Sequence, residues 1–282
     1  MITLSVNSVL FATFDYATAC RYVALAGFDG VEISVIQGQH DHVGLTGGWR
    51  ARAAEMRAIA ADCGLAITSL ELGEDPELLP VALEAAKELG ASVVAAGGGG
   101  GQTGNADDLQ RAIDSAAAAA ELGAQFEVAV VYKAHVGNAV YNTETLLALA
   151  DGVASPWFGL NYDPSHILRA GERPEEGIRR IAGHVRHVHI RDCPPVAPGE
   201  TGGPPGDPEQ QACGRSRGVD LHGYCAGLVE AGYDGTLSLE VIGAAGREEY
   251  ADPARPCSIA AESYGYLNAV LTGLGARGVA AG

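Results

Sequence analysis

A set of ionisable residues falls at or just past the ends of short apolar runs: Glu32, Glu71, Lys133, His135, Asp163, His166, His189, Arg191 and Glu240. An ionisable side chain at the rim of an apolar segment is costly to desolvate unless it is paired, holds a metal or takes part in a reaction. One such residue is ordinary, whereas a convergent series points to a site. Asp163, His189 and Glu240 offer two carboxylates and one imidazole. That mixture suits Mn²⁺, Mg²⁺, Co²⁺ or Zn²⁺ and leaves coordination positions open for substrate oxygens. His187 lies two residues before His189, so both would point the same way on a strand. His189 is preferred as the ligand because it is nearer the strand end. One residue is out of character: Val128-Ala129-Val130-Val131-Tyr132 runs into Lys133-Ala134-His135, a cation at the end of an apolar strand.

The elements that must position these residues follow from periodicity. Apolar runs at 3–6, 30–35, 66–72, 92–96, 126–133, 158–162, 185–191 and 237–242 read as strands. Stretches of helical spacing lie between them, at 16–26, 49–63, 77–89, 106–122, 143–151, 174–182, 221–231 and 259–274. Gly27, Gly64, Gly90 and Gly232 each stand just past a helix end, where glycine adopts a left-handed conformation most cheaply. Strand followed by helix, repeated eight times, predicts a parallel α/β fold and favours a closed (β/α)8 TIM barrel over an open sheet. The length of 282 residues suits one such domain spanning 1–282. In these barrels the site forms at the carboxyl ends of the strands, where the ionisable series lies.

Two segments break the pattern. Residues 193–216 are rich in Gly and Pro, Pro198 among them, and read as a long loop of functional or disordered character. Gly97 to Gly101 follow the fourth strand and suit either a flexible turn or backbone amides close to a ligand anion. Arg215 and Arg217 could grip an anion or simply face solvent, and Gln39-His40-Asp41-His42 has the look of a metal pair but more often a solvated loop.

Composition narrows the partners. Lys and Arg number 18 against 35 Asp and Glu, a net charge of −17 with no basic stripe, which argues against nucleic acid as a partner. No stretch approaches a membrane span, and the amino terminus reads as a strand rather than a signal peptide, so a cytoplasmic location is expected. The six cysteines have no Cys-x-x-Cys spacing, so most are expected to be small buried apolar residues. Pairing of barrels into a homo-oligomer stays open.

The motifs Gly30-Val31-Glu32-Ile33, Asp163-Pro164-Ser165-His166, His187-Val188-His189-Ile190-Arg191-Asp192, Gly218-Val219-Asp220 and Leu239-Glu240-Val241 together resemble the xylose-isomerase-like sugar isomerase/epimerase superfamily. The resemblance covers nearly the whole chain. It implies a (β/α)8 barrel, a small-molecule carbohydrate substrate and a divalent metal held by four ligands. Three of these map to Asp163, His189 and Glu240, and His166 maps to a substrate-binding histidine. The fourth, a strand-five glutamate that also carries a proton to or from the substrate in epimerases, aligns with Lys133.

Lys133 has three readings at this point: a fixed charge in the metal's place, an acid or base beside a metal, or a Schiff-base nucleophile. A salt bridge in a catalytically dead sugar-binding protein is the bland alternative. Glu71 and Glu32 could supply the missing carboxylate, bind substrate or merely pair with Arg191 or Lys133, and His135 and Arg191 could bind substrate. The expected reaction is proton abstraction next to a carbonyl of a keto-sugar or related polyol, with Glu240 as base and Lys133 and His166 in catalytic support. The reaction is expected to be isomerisation or epimerisation, with elimination from a keto-sugar, keto-glycoside or cyclitol as the rival.

Overall fold

The computed structural model describes residues 1–36, 40–197 and 199–277; Gln39 and Pro198 lie outside the described residues. In chain order the strands are β1 (Thr3–Asn7), β2 (Gly30–Ile36), β3 (His40–Asp41), β4 (Ala66–Glu71), β5 (Val93–Ala96), β6 (Ala129–Lys133), β7 (Phe158–Asn161), β8 (Val185–Ile190) and β9 (Thr236–Leu239). All but β3 pair in parallel in the order β1-β9-β8-β7-β6-β5-β4-β2, and β1 pairs with β2 to close the barrel. The short β3 lies antiparallel on the end of β2. The expected (β/α)8 barrel is therefore the fold.

Helices α1 (Tyr16–Leu25), α2 (Trp49–Asp62), α3 (Leu79–Leu89), α4 (Ala106–Phe126), α5 (Thr143–Gly152), α6 (Pro164–Arg169), α7 (Pro174–Ile181), α8 (Leu221–Glu230) and α9 (Ala254–Gly273) accompany the strands. Their starts follow side-chain chemistry. Asp15, Asn105 and Asp220 accept backbone N–H bonds at the starts of α1, α4 and α8, and Asn142 with Thr145 forms a capping box on α5.

Several boundaries differ from expectation, β9 ending at Leu239 rather than 242 among them. Helix α4 runs on to Phe126, so β6 begins at Ala129 rather than at 126. The chain turns at Glu127, which takes a left-handed conformation (φ 57°) without a glycine to mark it. Helix α9 starts at Ala254 rather than 259, because Pro256 falls in the first turn, where its missing N–H costs nothing. Helix α6 was not expected, although Asp163 before Pro164 is a helix-start signal.

The strands direct a polar layer into the barrel below the site. Glu32, fully buried, accepts hydrogen bonds from Asn7 Nδ2 (2.9 Å), Ser69 Oγ (2.8 Å), Ser238 Oγ (2.7 Å) and His189 Nε2 (2.8 Å). His187 Nε2 stands 2.9 Å from its other oxygen face. The expectation that Glu32 binds substrate therefore gives way: its lone pairs are taken by barrel residues and it forms the floor. Burial alone would raise its carboxyl, but the facing His189 and His187 outweigh burial and hold it well below the usual 4.5.

The glycine run serves close packing. A Cβ on Gly98 would press into the Lys133 carbonyl oxygen, and one on Gly101 would meet Asp108 Cβ at 2.7 Å. The long loop is pinned rather than free. Asp192, fully buried, accepts the backbone N–H groups of Cys193, Arg217, Gly218 and Val219 at 2.7–3.2 Å, and buried Gln211 bonds Ile242 N and O. All six cysteines are free thiols.

Two stability outcomes follow. Gly98→Ala should lower the unfolding free energy by roughly 1–3 kcal/mol through overpacking, whereas Gly265→Ala, in α9 with open space around it, should raise it by about 0.5–1 kcal/mol. Equilibrium urea unfolding of the pair checks both signs. Glu32→Gln should cost about 3–5 kcal/mol. Because the Glu32 value is depressed in the fold, its contribution is fully present above the unfolded value and is lost as pH falls through the folded one. The acid limb of stability against pH should therefore be shallower in Glu32→Gln than in the parent; equal slopes would mean that Glu32 is not held ionised.

Candidate active site

Above the Glu32 floor, β4, β6, β8 and the residue after β9 converge on one ammonium. Lys133 Nζ, at the end of β6, lies 2.8 Å from Glu240 Oε1, 2.9 Å from His189 Nδ1 and 3.2 Å from Glu71 Oε1. All four side chains are buried. Glu71 is held from below by Asn7 Nδ2 at 2.6 Å, the same amide that bonds Glu32. His189 Nδ1 also faces Asn161 Nδ2 at 3.1 Å, while Asn161 Oδ1 accepts the His189 backbone N–H. With Nε2 donating to Glu32, Nδ1 is the accepting nitrogen, so Lys133 donates to a neutral imidazole.

The charges are sorted by this packing. Burial and the neighbouring Glu240 carboxylate push Glu71 well above the usual carboxylate value. Burial pushes Glu240 the same way, but the Lys133 ammonium and Arg191 guanidinium outweigh it and hold Glu240 well below. Burial would lower Lys133, yet Glu240, Glu71 and Asp163 raise it, so it stays charged. The packing thus pushes the two carboxyls in opposite directions, with Lys133 in contact with both.

A second arm extends from β7 and α6. Arg191, buried, reaches Ser165 Oγ (2.9 Å) through Nε and His166 Nε2 (2.9 Å) through Nη2, and its Nη1 lies 3.1 Å from Glu240 Oε2. Burial, then His135 and Arg191, hold His166 well below 6.5; burial and Lys133 bring His135 to about 4. The two neutral rings meet edge to face at 4.6 Å. A cavity of about 390 Å³ opens above, lined by Glu71, Lys133, His135, His166, Arg191 and Glu240 among others. His135 Nδ1 and His166 Nδ1 are buried with no hydrogen-bond partner among the described residues, and Glu240 Oε2 faces the Arg191 guanidinium without a hydrogen bond.

The expected residues largely assemble, with changes of role. The trio implied for a metal was Asp163, His189 and Glu240, whereas the structure brings ligand atoms of Glu71, His189 and Glu240 within 4.8 Å of one another. Asp163 instead caps α6: its Oδ1 accepts Ser165 N and Oγ at 2.9 and 2.7 Å, and its Oδ2 lies 3.3 Å from Arg191 Nη2. Glu32, His187 and His189 make a second group within the same span. These buried His and Glu groups could hold a metal by type and spacing. Neither group fits one as arranged: Lys133 Nζ sits at hydrogen-bond distance from every member of the first, and the second is the closed floor.

Other expected features lie elsewhere. His42 is taken by Ser8 Oγ (2.9 Å) and the Phe14 carbonyl (3.1 Å), and Arg215 pairs with Glu262 on the surface. Asn7, Asn161 and Ser165 were missed. Asn7 and Asn161 end strands just as the charged residues do, a positional signal that a search restricted to ionisable types passes over.

Known proteins place this geometry in context. The structure of D-psicose 3-epimerase in the presence of D-fructose matches with a TM-score of 0.76 at 14% identity, over 95% of this chain and 99% of that one. The probable 3-DHS dehydratase AsbF from Bacillus anthracis matches with a TM-score of 0.70 at 17% identity, over 94% and 98%. Inosose dehydratase of Clostridium botulinum (strain Eklund 17B / Type B) is 31% identical over 75 residues, 27% of this chain and 25% of that enzyme, so the match spans about a quarter of the relative's length. The xylose isomerase-like TIM barrel family model matches residues 20–257. That match covers most of the barrel and the site built on it, and the chain belongs to the xylose isomerase-like TIM barrel family.

Proposed function

We propose that this protein is an isomerase or epimerase that enolises a keto-sugar or related polyol. The observation that carries the reading is the pair of buried carboxyls, Glu71 and Glu240, both within 3.2 Å of the Lys133 ammonium at the base of the cavity. The ionised Glu240 takes the proton from the carbon next to the carbonyl. The C–H electrons become the enediolate double bond, and charge gathers on the former carbonyl oxygen. Lys133 and Arg191, both buried, hold that charge as fixed cations. Glu71, already protonated, returns a proton to the intermediate and completes epimerisation or isomerisation. His135 and His166, both neutral, hold substrate hydroxyls.

A second reading is elimination, favoured by the similarity to inosose dehydratase. The same enediolate would expel a β-substituent, with Glu71 protonating the leaving oxygen.

Incubation with candidate ketoses in ²H₂O tests both. Deuterium gained at one carbon without loss of mass elsewhere supports epimerisation, and release of water or an alcohol supports elimination. Glu240→Gln should lower kcat by about 10²–10⁴-fold; unchanged exchange in that variant would overturn the role of Glu240 as base. Because Glu71 is raised, the rate should fall as pH climbs through the value of the pair, and Glu71→Gln should flatten that alkaline limb. A limb that persists in Glu71→Gln would assign the proton elsewhere.

A further inference from the structure

Two cations of the site, Lys133 and Arg191, belong to the chain and cannot dissociate, and Lys133 is the one in contact with Glu71, His189 and Glu240 together. We propose that the Lys133 ammonium replaces the divalent metal implied by the resemblance, so that a fixed charge held by the protein, rather than a bound ion, polarises the substrate. The proposal rests on the enolising reading above and names the group that makes it work.

Lys133 offers three N–H donors, and Glu240 Oε1, His189 Nδ1 and Glu71 Oε1 receive them at 2.8, 2.9 and 3.2 Å. These are the same three side chains whose ligand atoms cluster within 4.8 Å. A metal bonded to them would need contacts of about 2.0–2.2 Å, at the point the ammonium already fills. Two like charges cannot share that space. The His189 lone pair that a metal would take is occupied by Lys133 and Asn161, and the ring's other nitrogen is committed to Glu32. Asp163, the remaining ligand expected, faces the Arg191 guanidinium and caps α6. The Glu32 floor is closed by its four hydrogen bonds, so it offers no second place.

The full chain, purified and treated with EDTA, should retain its solvent-exchange turnover and its thermal midpoint, and calorimetric titration with Mn²⁺ or Co²⁺ should show no saturable site. Lys133→Glu should acquire one Mn²⁺ per chain, seen as a Mn²⁺-dependent rise in thermal midpoint and as visible absorption with Co²⁺. Lys133→Ala, which keeps the site open should the glutamate variant fail to fold, should lose about 10²–10³-fold in kcat, and added methylammonium should restore part of it where sodium does not. A tightly bound stoichiometric metal in the parent protein, whose removal abolishes exchange or lowers the thermal midpoint, would overturn the proposal while leaving the enolising reading intact. Absence of exchange with and without added metal would sink that reading, and the metal titration would still decide whether Lys133 excludes the ion.

Discussion

The contact between Lys133 and its three partners is the constraint around which the barrel interior is arranged. A buried ammonium is tolerated only when its attractions repay the loss of water, which demands good geometry and hydrogen bonds for every remaining polar atom. The chain meets this with residues from strands remote in sequence. Glu71 comes from β4, His189 from β8, and Glu240 from the end of β9. Only closure of the barrel brings them within 3.2 Å of one nitrogen. The fold is thus the condition for the charge, and the charge fixes the side chains that the fold brings together.

Below this centre the Glu32 layer acts as a template. It sets the tautomer of His189, and through Asn7 it sets the position of Glu71, so the two partners of Lys133 are oriented from one carboxylate. Above it, Arg191 ties Glu240 to α6 and to His166. The next residue, Asp192, gathers backbone amides from both ends of the long loop. One pair of neighbours on the chain therefore joins the Lys133 cluster to the backbone of the long loop, and Pro205 of that loop lines the cavity.

Much of this was legible in the sequence because strand ends are where apolar runs stop and polar residues begin. That positional rule found Glu71, Lys133, His166, His189, Arg191 and Glu240. It could not choose between His187 and His189, since alternate residues on a strand face the same way, and both turn inward because both meet Glu32. The role of Asp163 was hidden by the strength of its metal-ligand pattern; Asp-Pro-Ser is equally a cap, and the structure uses it as one. Glu127 carries no composition signal for its left-handed turn, so the end of α4 was misplaced. Loop residues 193–216 read as structureless because the anchors, Asp192 and Gln211, act through backbone amides that no side-chain pattern reveals.

Lys133 also bears on how such a site could arise. Glutamate and lysine codons differ in their first base alone, so a change between a carboxylate and an ammonium at this strand end needs no intermediate residue. What the gene must already hold is the rest of the frame, Glu71, His189 and Glu240, which receive the three N–H groups of the ammonium. A lineage with that frame in place stands one nucleotide away from exchanging a soluble, scavenged ion for a cation encoded in the polypeptide itself.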